Sequence, residues 1–414
     1  MRKALYIAIA LLLSLNISES CLASRLESGE YDYILETGNA IIIWYYGLEE
    51  DVIVPEALDG HPVIGIGHTE LNASGFSFGR TLTSITLPNS LTFIGNNIFS
   101  HCIELTSITI PESVTFIGKE AFYGCTKLDS ITIPDSVTHI GSYAFEDCLG
   151  LTSVTIPENV IDIGNCVFMG CKNLTTAQLM SRNSGTQTFF GCSKLSTVMF
   201  GEKFNSIEFG LFSYCNSLEQ LNIPENVSDI SYHPFVGSGL TNIIIENPNI
   251  EFEETPDYSL KLLPKAPTFY GCDNLTTIYA FNGSQAQRYA SEKRIGFVPI
   301  AKVNLNGRDL KFDVPAQIIG DRTLVPMRKI FEELGAVVGW DEASQTVTAA
   351  ICGKDITMRI GDSKMQVGGR TVALDVPPQV VLSRTLVPVQ TVCESLGASV
   401  QWDDAAQTVL ITTG

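Results

Sequence analysis

The feature that most constrains this chain is a phrase repeated every 23 residues. Residues 105–125 read LTSITIPESVTFIGKEAFYGC, and residues 128–148 read LDSITIPDSVTHIGSYAFEDC. A period in the twenties with L-x-x-I-x-I spacing is typical of a solenoid in which each repeat forms one coil. One coil cannot bury its own apolar edge, so stacking must supply the core. The residues that keep the step include Leu82, Leu105, Leu128, Leu151 and Leu174, then Phe99, Phe122, Phe145 and Phe168.

Each coil is predicted to begin with a short strand whose apolar side chains point inward. Pro111 ends that strand because proline has no N–H for the ladder. Gly118 is expected to permit the bend that follows. The residues predicted to fill one coil, from the strand to the far corner, are Leu105, Ile108, Ile110, Val114, Ile117 and Phe122.

The phrase L-x-S-I-x-I-P-x-S-V-x-x-I-G-x-x-A-F-x-x-C resembles the BspA-type leucine-rich repeat of secreted and surface proteins. The resemblance covers about residues 50–300 and is strong from 82 to 174; VIVPEALDGHPVIGIG (52–67) resembles the first coil of that family. It implies a leucine-rich repeat solenoid of short parallel strands over residues 24–300. Residues 246–267 carry four prolines and no repeat phase, which predicts an insertion loop. Residues 281–300 fit a C-terminal cap whose short helix begins after Ser284.

After residue 300 a second repeat begins, with a step of 62 residues. DVPAQIIGDRTLVPMRKIFEELGAVVGWDEASQTVTA starts at Asp313, and DVPPQVVLSRTLVPVQTVCESLGASVQWDDAAQTVLI starts at Asp375. Each copy predicts a helix after R-T-L-V-P, a stop at Leu-Gly-Ala, and strands around V-x-W-D. Gly335 and Gly397 suit the ends of these helices. The sequence therefore predicts a duplicated α+β domain over 301–414, with units at about 303–350 and 356–413.

This tail resembles the copper amine oxidase N-terminal-like domain, or stalk domain, of many bacterial secreted proteins, over residues 303–414. In the amine oxidases, copper is held by the catalytic domain and not by this one. The five histidines lie at 61, 68, 101, 139 and 233, and none lies in the tail. Copper in such enzymes prefers imidazole ligands. The sequence therefore predicts no copper site and no cofactor.

The first residues predict export. MRK supplies a positive start and ALYIAIALLLSL is a short apolar run, so residues 1–23 fit a signal peptide cleaved near Ala23. Lipidation at Cys21 is the less favoured alternative, because Glu19 stands where a lipoprotein signal needs a small apolar residue. No later apolar stretch has spanning length. The mature protein is therefore expected to be secreted or on the cell surface and not to span the membrane.

The charge is concentrated in the solenoid. Residues 24–300 carry 13 Lys and Arg against 31 Asp and Glu, whereas residues 301–414 carry 11 against 13. An acidic surface repels phosphate backbones, so nucleic acid is excluded as a partner.

One column of the repeat is cysteine, at Cys102, Cys125, Cys148 and Cys171. Stacked coils lie about 4.8 Å apart, which is within the Cα range of a disulfide. Equivalent Cβ atoms point the same way, however, and Cys is among the most buried residue types. A ladder of buried thiols is therefore favoured over a chain of disulfides; pairing of Cys166 with Cys171 is the remaining alternative.

Other candidate chemistry is weak. His101-Cys102 resembles a nucleophile pair, but the same cysteine column recurs without the histidine. The EFEE stretch at 251–254 matches no calcium-loop spacing, so a solvated acidic loop is favoured. No hydrolase, nucleotide or zinc motif occurs. No catalytic or metal-binding residue is predicted, and the chain is not expected to be an enzyme.

Two rows of polar residues remain, and they predict a hydroxyl-bearing face on the strand side of the solenoid. The alternative is that threonine simply suits exposed strands. Repeat faces commonly bind partners, so this candidate binding face consists of Ser84, Thr86, Ser107, Thr109, Ser130, Thr132, Ser153 and Thr155.

The function that follows is binding or adhesion, with an extracellular protein or glycan, or a cell-wall component, as partner. A structural envelope component without a specific ligand is the alternative, and a secreted enzyme of unrecognised type is the third.

Overall fold

A computed structural model describes residues 25–67, 81–252, 268–351 and 353–414. The predicted signal peptide and most of the predicted insertion loop lie outside the described residues. The chain divides into two compact units, one comprising residues through Asn242 with Ile250–Leu275, the other Ile243–Asn249 with Thr276–Gly414. In the described part of the chain, no helix has the length and apolar character needed to cross a membrane.

The first unit is built almost entirely from short strands joined by turns. Its N-terminal strands are β1 (Leu26–Ser28), β2 (Tyr31–Glu36), β3 (Asn39–Tyr45), β4 (Asp51–Ile53), β5 (Ala57–Leu58) and β6 (His61–Ile66). Its later strands are β7 (Ser84–Thr86), β8 (Phe93–Ile94), β9 (Ser107–Ile108), β10 (Phe116–Ile117), β11 (His139–Ile140), β12 (Ser153–Ile156), β13 (Asp162–Ile163), β14 (Thr176–Leu179), β15 (Thr197–Phe200), β16 (Ser206–Ile207), β17 (Gln220–Ile223), β18 (Asp229–Ile230) and β20 (Glu251–Phe252).

The coils of the first unit form the leucine-rich repeat solenoid of parallel strands that the 23-residue step predicts. β7 pairs with β9, and β12 pairs with β14 and then β15, all in parallel. A second ladder, which the sequence did not reveal, joins β8, β10, β11 and β13 through the Ile-Gly part of each repeat. Its strands have only two residues each, too short for an alternating pattern to be recognised.

A third set of bonds joins the coils at the corner that contains the core phenylalanines. The Phe99 amide donates to the Ala121 carbonyl at 2.8 Å, and the Phe122 amide donates to the Ala144 carbonyl at 2.7 Å. The chain turns here at left-handed residues that are not glycine, including Glu120 (φ 54°). Three parallel sets of hydrogen bonds therefore hold successive coils in register.

Gly118 serves a purpose different from the predicted bend. Its φ lies outside the left-handed region. A Cβ at Gly118 would lie 2.4 Å from the backbone carbon of Gly95, and one at Gly141 would lie 2.4 Å from the Lys119 amide nitrogen. The Ile-Gly column is therefore glycine because the backbone of the preceding coil passes too close for a side chain.

The start of the solenoid is an antiparallel sheet rather than another repeat. β1, β2 and β3 form a meander, and β3 then pairs in parallel with β6. β6 pairs with β8 and so continues into the second ladder. The resemblance to a first coil at 52–67 did not indicate this meander, because residues 26–45 carry no repeat phase.

Phenylalanine rings form a continuous stack through the first unit. The Phe99–Phe122, Phe122–Phe145 and Phe145–Phe168 ring centroids are 5.2, 5.1 and 5.1 Å apart. All four rings are fully buried. The stack continues, one ring per coil, through Phe189, Phe212, Phe235 and Phe269. The apolar residues predicted for the coil at 105–122 are all buried as well, which confirms the assignment of inward positions.

The second unit is a mixed α and β structure. Its first elements are β19 (Asn242–Ile245, of which Asn242 belongs to the first unit), β21 (Thr277–Ala280), α1 (Gln285–Lys293), β22 (Gly296–Leu305), β23 (Arg308–Asp309) and β24 (Ala316–Ile319). The others are β25 (Arg322–Pro326), α2 (Met327–Glu333), β26 (Val337–Asp341), β27 (Thr346–Ile351), β28 (Lys354–Arg359), β29 (Lys364–Val367), β30 (Arg370–Ala373), β31 (Gln379–Val381), β32 (Arg384–Pro388), α3 (Val389–Ser395), β33 (Ser399–Asp403) and β34 (Thr408–Thr412).

The helix boundaries of this unit agree with the capping and glycine signals in the sequence. The Ser284 hydroxyl accepts a hydrogen bond from the Gln287 amide and caps α1, as the sequence predicts. Both later helices begin directly after R-T-L-V-P. Gly335 and Gly397, one residue beyond their C-caps, have φ of 87° and 95°, which confirms their predicted place at helix ends.

The two copies of the 62-residue repeat are interlocked rather than separate. β25 and β32 pair antiparallel with Val325 opposite Val387, and these two residues occupy the same position in the two copies. This pairing relates the copies by an approximate twofold axis. One apolar core contains equivalent residues of both, such as Phe331 and Cys393.

Ion pairs repeat this reciprocity. Arg384 Nε donates to Asp313 Oδ2 at 2.5 Å, and Arg322 Nε donates to Asp375 Oδ2 at 2.7 Å. The arginine of each copy therefore forms an ion pair with the aspartate of the other copy. The unit limits near residues 350 and 356, and the domain limit at 301, remain proposals; α1 and β21 fall in the second compact unit.

Candidate functional site

The predicted binding face lies along the first ladder of strands. Seven of its eight residues are exposed, and Ser84 is half-buried. They alternate with buried side chains, including Ile85, Ile108 and Val154. This alternation follows from the period of two in a strand. In the coil at 128–134 the chain passes the same position without a ladder strand, although Ser130 and Thr132 are still exposed.

The hydroxyls of this face differ in their hydrogen bonding. Three of them donate to nearby side chains, Ser84 to Asp51 at 2.5 Å, Ser130 to Asp129 at 2.9 Å and Thr155 to Gln178 at 3.4 Å. Within the described residues the other five side chains make no hydrogen bond, and these are Thr86, Ser107, Thr109, Thr132 and Ser153. The five hydroxyls without a hydrogen bond therefore lie on four successive coils.

Other repeated threonines are used by the fold itself. The Thr115 hydroxyl donates to the Thr92 carbonyl at 3.3 Å, and the Thr138 hydroxyl donates to the Thr115 carbonyl at 3.1 Å. These side chains reinforce the ladders by binding the preceding coil. The sequence alone did not separate them from the free hydroxyls of the face, because both columns recur with the same step.

The face continues beyond the residues that the sequence selected. Thr155 lies opposite Gln178 on β14, and Gln178 lies opposite Met199 on β15. Met199 is one of the few large apolar side chains of the first unit that remain exposed. In the sequence, the coils that contain Gln178 and Met199 are marked by Leu174 and Leu195. These two leucines are 21 rather than 23 residues apart. The face thus changes from hydroxyls to an amide and a thioether along the solenoid.

The cysteine column is buried beside the phenylalanine stack. From Cys125 onward, each thiol of the column donates to the carbonyl of a phenylalanine in an earlier coil, for example Cys125 to Phe99 at 3.1 Å and Cys148 to Phe122 at 3.2 Å. Burial raises the pKa of Cys148 well above its ordinary value, as it does for Cys125 and Cys171. All nine cysteines of the described residues are free. These thiols are neutral hydrogen-bond donors that hold the corner of each coil.

His101 and Cys102 do not form a reactive pair in the structure. The His101 ring packs edge-on against Tyr123, with centroids 4.9 Å apart. Cys102 is fully buried, and burial raises its pKa to about 12. A thiol with such a pKa is not a nucleophile at neutral pH. Cys166, outside the column, lies 3.9 Å from Gln187 Oε1.

Glu146 is a titratable group that sequence reasoning missed. It is half-buried in the corner that contains Glu120 and Asp147. Burial, followed by the charges of Asp147 and Glu120, raises its pKa from 4.5 to about 7. In the neighbouring repeats this position holds Tyr123 and Met169, so no pattern marked it.

Replacing Glu146 with Gln is expected to change the pH dependence of solenoid stability. The folded state retains the Glu146 proton at a pH where the unfolded state has lost it, so stability falls as pH rises from about 4.5 to 7. The variant should be more stable than the parent at pH 8 by about 1 kcal/mol, allowing for partial exposure. Thermal melts at pH 5 and pH 8 measure this. Glu112→Gln, at an exposed position, is the control; an equal gain there would contradict the assignment.

The acidic stretch at 251–254 is only partly within the described residues. Glu251 begins the two-residue strand β20, which pairs in parallel with β18. Residues 253 and 254 lie outside the described residues, as do Cys352 and the N-terminal cleavage region.

The C-terminal unit does not fit a copper centre. Residues 276–414 contain no histidine. Throughout the described ranges, no three His, Cys, Asp or Glu side chains are grouped to hold a metal ion. Cys393 is buried, and burial raises its pKa to about 12, so it is a poor source of thiolate.

Comparisons with solved structures give several leucine-rich repeat proteins. A leucine-rich repeat protein from Bacteroides ovatus is 24% identical, with 62% of this chain and 70% of that chain covered and a TM-score of 0.44. A leucine-rich repeat protein from T. pallidum is 29% identical, with 46% and 91% covered and a TM-score of 0.42. A search of curated proteins gave no match.

Two family models match the two parts of the sequence. The BspA type leucine rich repeat region matches in six copies, over residues 69–184 and 138–259. The copper amine oxidase N-terminal domain matches residues 304–411. The first covers the coils with the phenylalanine and cysteine columns, and the second covers both R-T-L-V-P copies. The chain therefore carries a BspA-type leucine-rich repeat region followed by a copper amine oxidase N-terminal domain.

Proposed function

We propose that this chain is an exported, non-enzymatic binding protein that recognises an extracellular protein or glycan through the strand face of its solenoid. The observation that carries the proposal is the set of exposed hydroxyls without an internal partner, from Thr86 to Ser153, on adjoining coils. The leucine-rich repeat family is consistent with such a role.

The geometry of the face favours binding because its polar groups are already ordered. The backbone hydrogen bonds of the ladders fix the spacing of successive coils. Binding therefore does not require the backbone of the face to become ordered, which would cost entropy. Serine and threonine have short side chains, so little rotamer entropy is lost when a partner binds. Donors and acceptors repeated at one coil spacing suit a partner that is itself extended.

Within the described residues, the groups that the sequence offered as reactive are in unreactive settings, in keeping with the proposed non-enzymatic role. The thiols of the cysteine column are neutral and buried, and His101 is stacked on an aromatic ring. Export rests on the signal-like segment at 1–23, with a mature start near Ser24, and adhesion at the cell surface is the setting that this proposal favours.

The expected result of a binding screen is retention of the full-length mature protein by a defined extracellular protein or glycan on an array. Replacing Ser107, Thr109 and Thr132 together with Ala should weaken that binding at least tenfold, because three hydrogen-bonding groups of the contact are lost. Titration by surface plasmon resonance measures the change.

Thr115→Ala is the matched control, since it removes an exposed hydroxyl that the fold uses at the second ladder. Binding should then remain within twofold. Equal weakening by both variants would show that the strand face is not the recognition surface. A screen without any ligand would instead favour a structural envelope component, and turnover of an arrayed substrate would favour an enzyme.

A further inference from the structure

The second unit contains a cavity of about 520 Å³ between α2, β26 and β32. This volume lies within the range of small-ligand sites in proteins. One wall is apolar and is formed by Trp340, Met327 and Val380. Trp340 remains 39% exposed and Val380 51% exposed. An exposed indole in a concave site offers a flat face on which an apolar ring face can pack.

The polar wall of the cavity is basic, whereas the chain as a whole is acidic. Arg328, Lys329 and Arg384 line it, opposed by Asp313 and Glu332. Three cations against two carboxylates give a positive site in a chain whose formal charge is −19. Such a local reversal attracts an anionic ligand.

The three cations are not equally available. Arg384 is held by Asp313, and Lys329 Nζ lies 2.9 Å from Glu333 Oε1. Within the described residues Arg328 makes no hydrogen bond or ion pair. A free guanidinium can bind a carboxylate through two parallel hydrogen bonds. Arg328 is therefore the group that would meet the charge of a ligand.

Hydroxyl groups complete the site. Ser383 and Thr385 line the cavity on either side of Arg384. A ligand that contacts the apolar wall, the free Arg328 and the two hydroxyls needs a ring with an apolar face, a carboxylate and several hydroxyls. A pyranose with a carboxylate substituent has all of these features. A free inorganic anion would leave the indole unused, and a flexible acidic peptide would not require its flat face.

The second copy of the repeat provides an internal comparison. Trp402 occupies the position equivalent to Trp340, but Gln390 and Thr391 replace Arg328 and Lys329. Asp321 of the first copy stands at the position equivalent to Ser383 of the second copy. The equivalent surface therefore has an aromatic residue and Arg322 but lacks the excess of positive charge. Recognition of an anion should therefore be confined to the cavity that contains Trp340 and Arg328.

We propose that this cavity is a binding site for an acidic saccharide, with Trp340 packing on the sugar ring and Arg328 binding its carboxylate. The site is separate from the strand face of the solenoid and goes beyond the binding role proposed for that face.

Isothermal titration of the full-length mature protein with trigalacturonate tests this proposal, with maltotriose as the neutral comparison. Trigalacturonate should bind and maltotriose should bind at least tenfold more weakly. Arg328→Gln, which introduces the residue of the second copy, and Trp340→Ala should each weaken trigalacturonate binding about tenfold. Trp402→Ala is the matched control and should change the affinity less than twofold. Circular dichroism confirms that each variant is folded.

Several results would overturn the proposal. One is failure of trigalacturonate to bind, and another is an equal loss in Trp402→Ala. Competition by inorganic phosphate, with Trp340→Ala unaffected, would identify a simple anion patch. Equal affinity for triglutamate would identify a peptide site. The solenoid variant with Ala at 107, 109 and 132 should bind trigalacturonate normally, so this result and that of the array screen are independent.

Discussion

Phe122→Ala should lower the free energy of unfolding of the solenoid by about 3–5 kcal/mol, the usual cost of removing a buried phenylalanine ring. The Phe122 ring is fully buried between those of Phe99 and Phe145, at 5.2 and 5.1 Å. Its loss removes two stacking contacts and leaves a cavity that the three bond ladders prevent from collapsing. Because each coil contacts only its neighbours, the damage should weaken both adjoining interfaces. Chemical denaturation followed by circular dichroism measures the effect.

Thr109→Ala is the control for this experiment, because Thr109 is exposed in the same coil. Its expected cost is well under 1 kcal/mol, the usual size for a surface change. If Thr109→Ala destabilises as much as Phe122→Ala, the inward and outward positions of the coil are assigned wrongly, and the proposed binding face is lost with them.

Gly141→Ala should destabilise the solenoid by about 3 kcal/mol, the upper end of the usual cost of overpacking. The new Cβ would lie 2.4 Å from the Lys119 amide nitrogen and 2.6 Å from the Gly118 carbonyl carbon. Backbone atoms of a paired ladder cannot move aside without breaking their own hydrogen bonds. The expected result is a lower melting temperature and faster hydrogen exchange at the amides of the second ladder.

Gly191→Ala separates this collision from backbone strain. Gly191 has φ of 73°, but the nearest atom to its added Cβ is 4.0 Å away. Its cost should be about 1–2 kcal/mol, that of one left-handed alanine. A loss in Gly141→Ala no larger than that in Gly191→Ala would mean that close approach of the preceding coil does not explain the Ile-Gly column.

The solenoid was predictable because its signals repeat. The Leu, Phe and Cys columns report the same environment in several coils, so the inward face is specified many times. The left-handed turns at Asn97, Glu120 and Tyr143 carry no such signal. Their conformation is imposed by cross-coil hydrogen bonds, and the residue type follows no rule that a sequence pattern exposes.

The C-terminal unit shows a different limit of sequence reasoning. Helix starts and helix ends are local features, and each follows from the residues at that position. The pairing of Val325 with Val387 and the exchange of Arg384 and Asp313 between copies are long-range features. A duplication is equally compatible with two adjacent units and with two interlocked ones, since both preserve the local patterns. The cavity at Trp340 could not be predicted for the same reason: Arg384 reaches it from the other copy.

The arrangement of β22 and β34 has a mechanical consequence. These strands run parallel, with Lys302 opposite Thr408 and Leu305 opposite Ile411. A pull on the chain before β22 and after β34 acts along the strands in opposite directions. The hydrogen bonds between them then resist together, in shear, instead of separating one after another as in a peeled hairpin. A parallel strand pair loaded in this way resists tension along its own axis better than a hairpin that is peeled open.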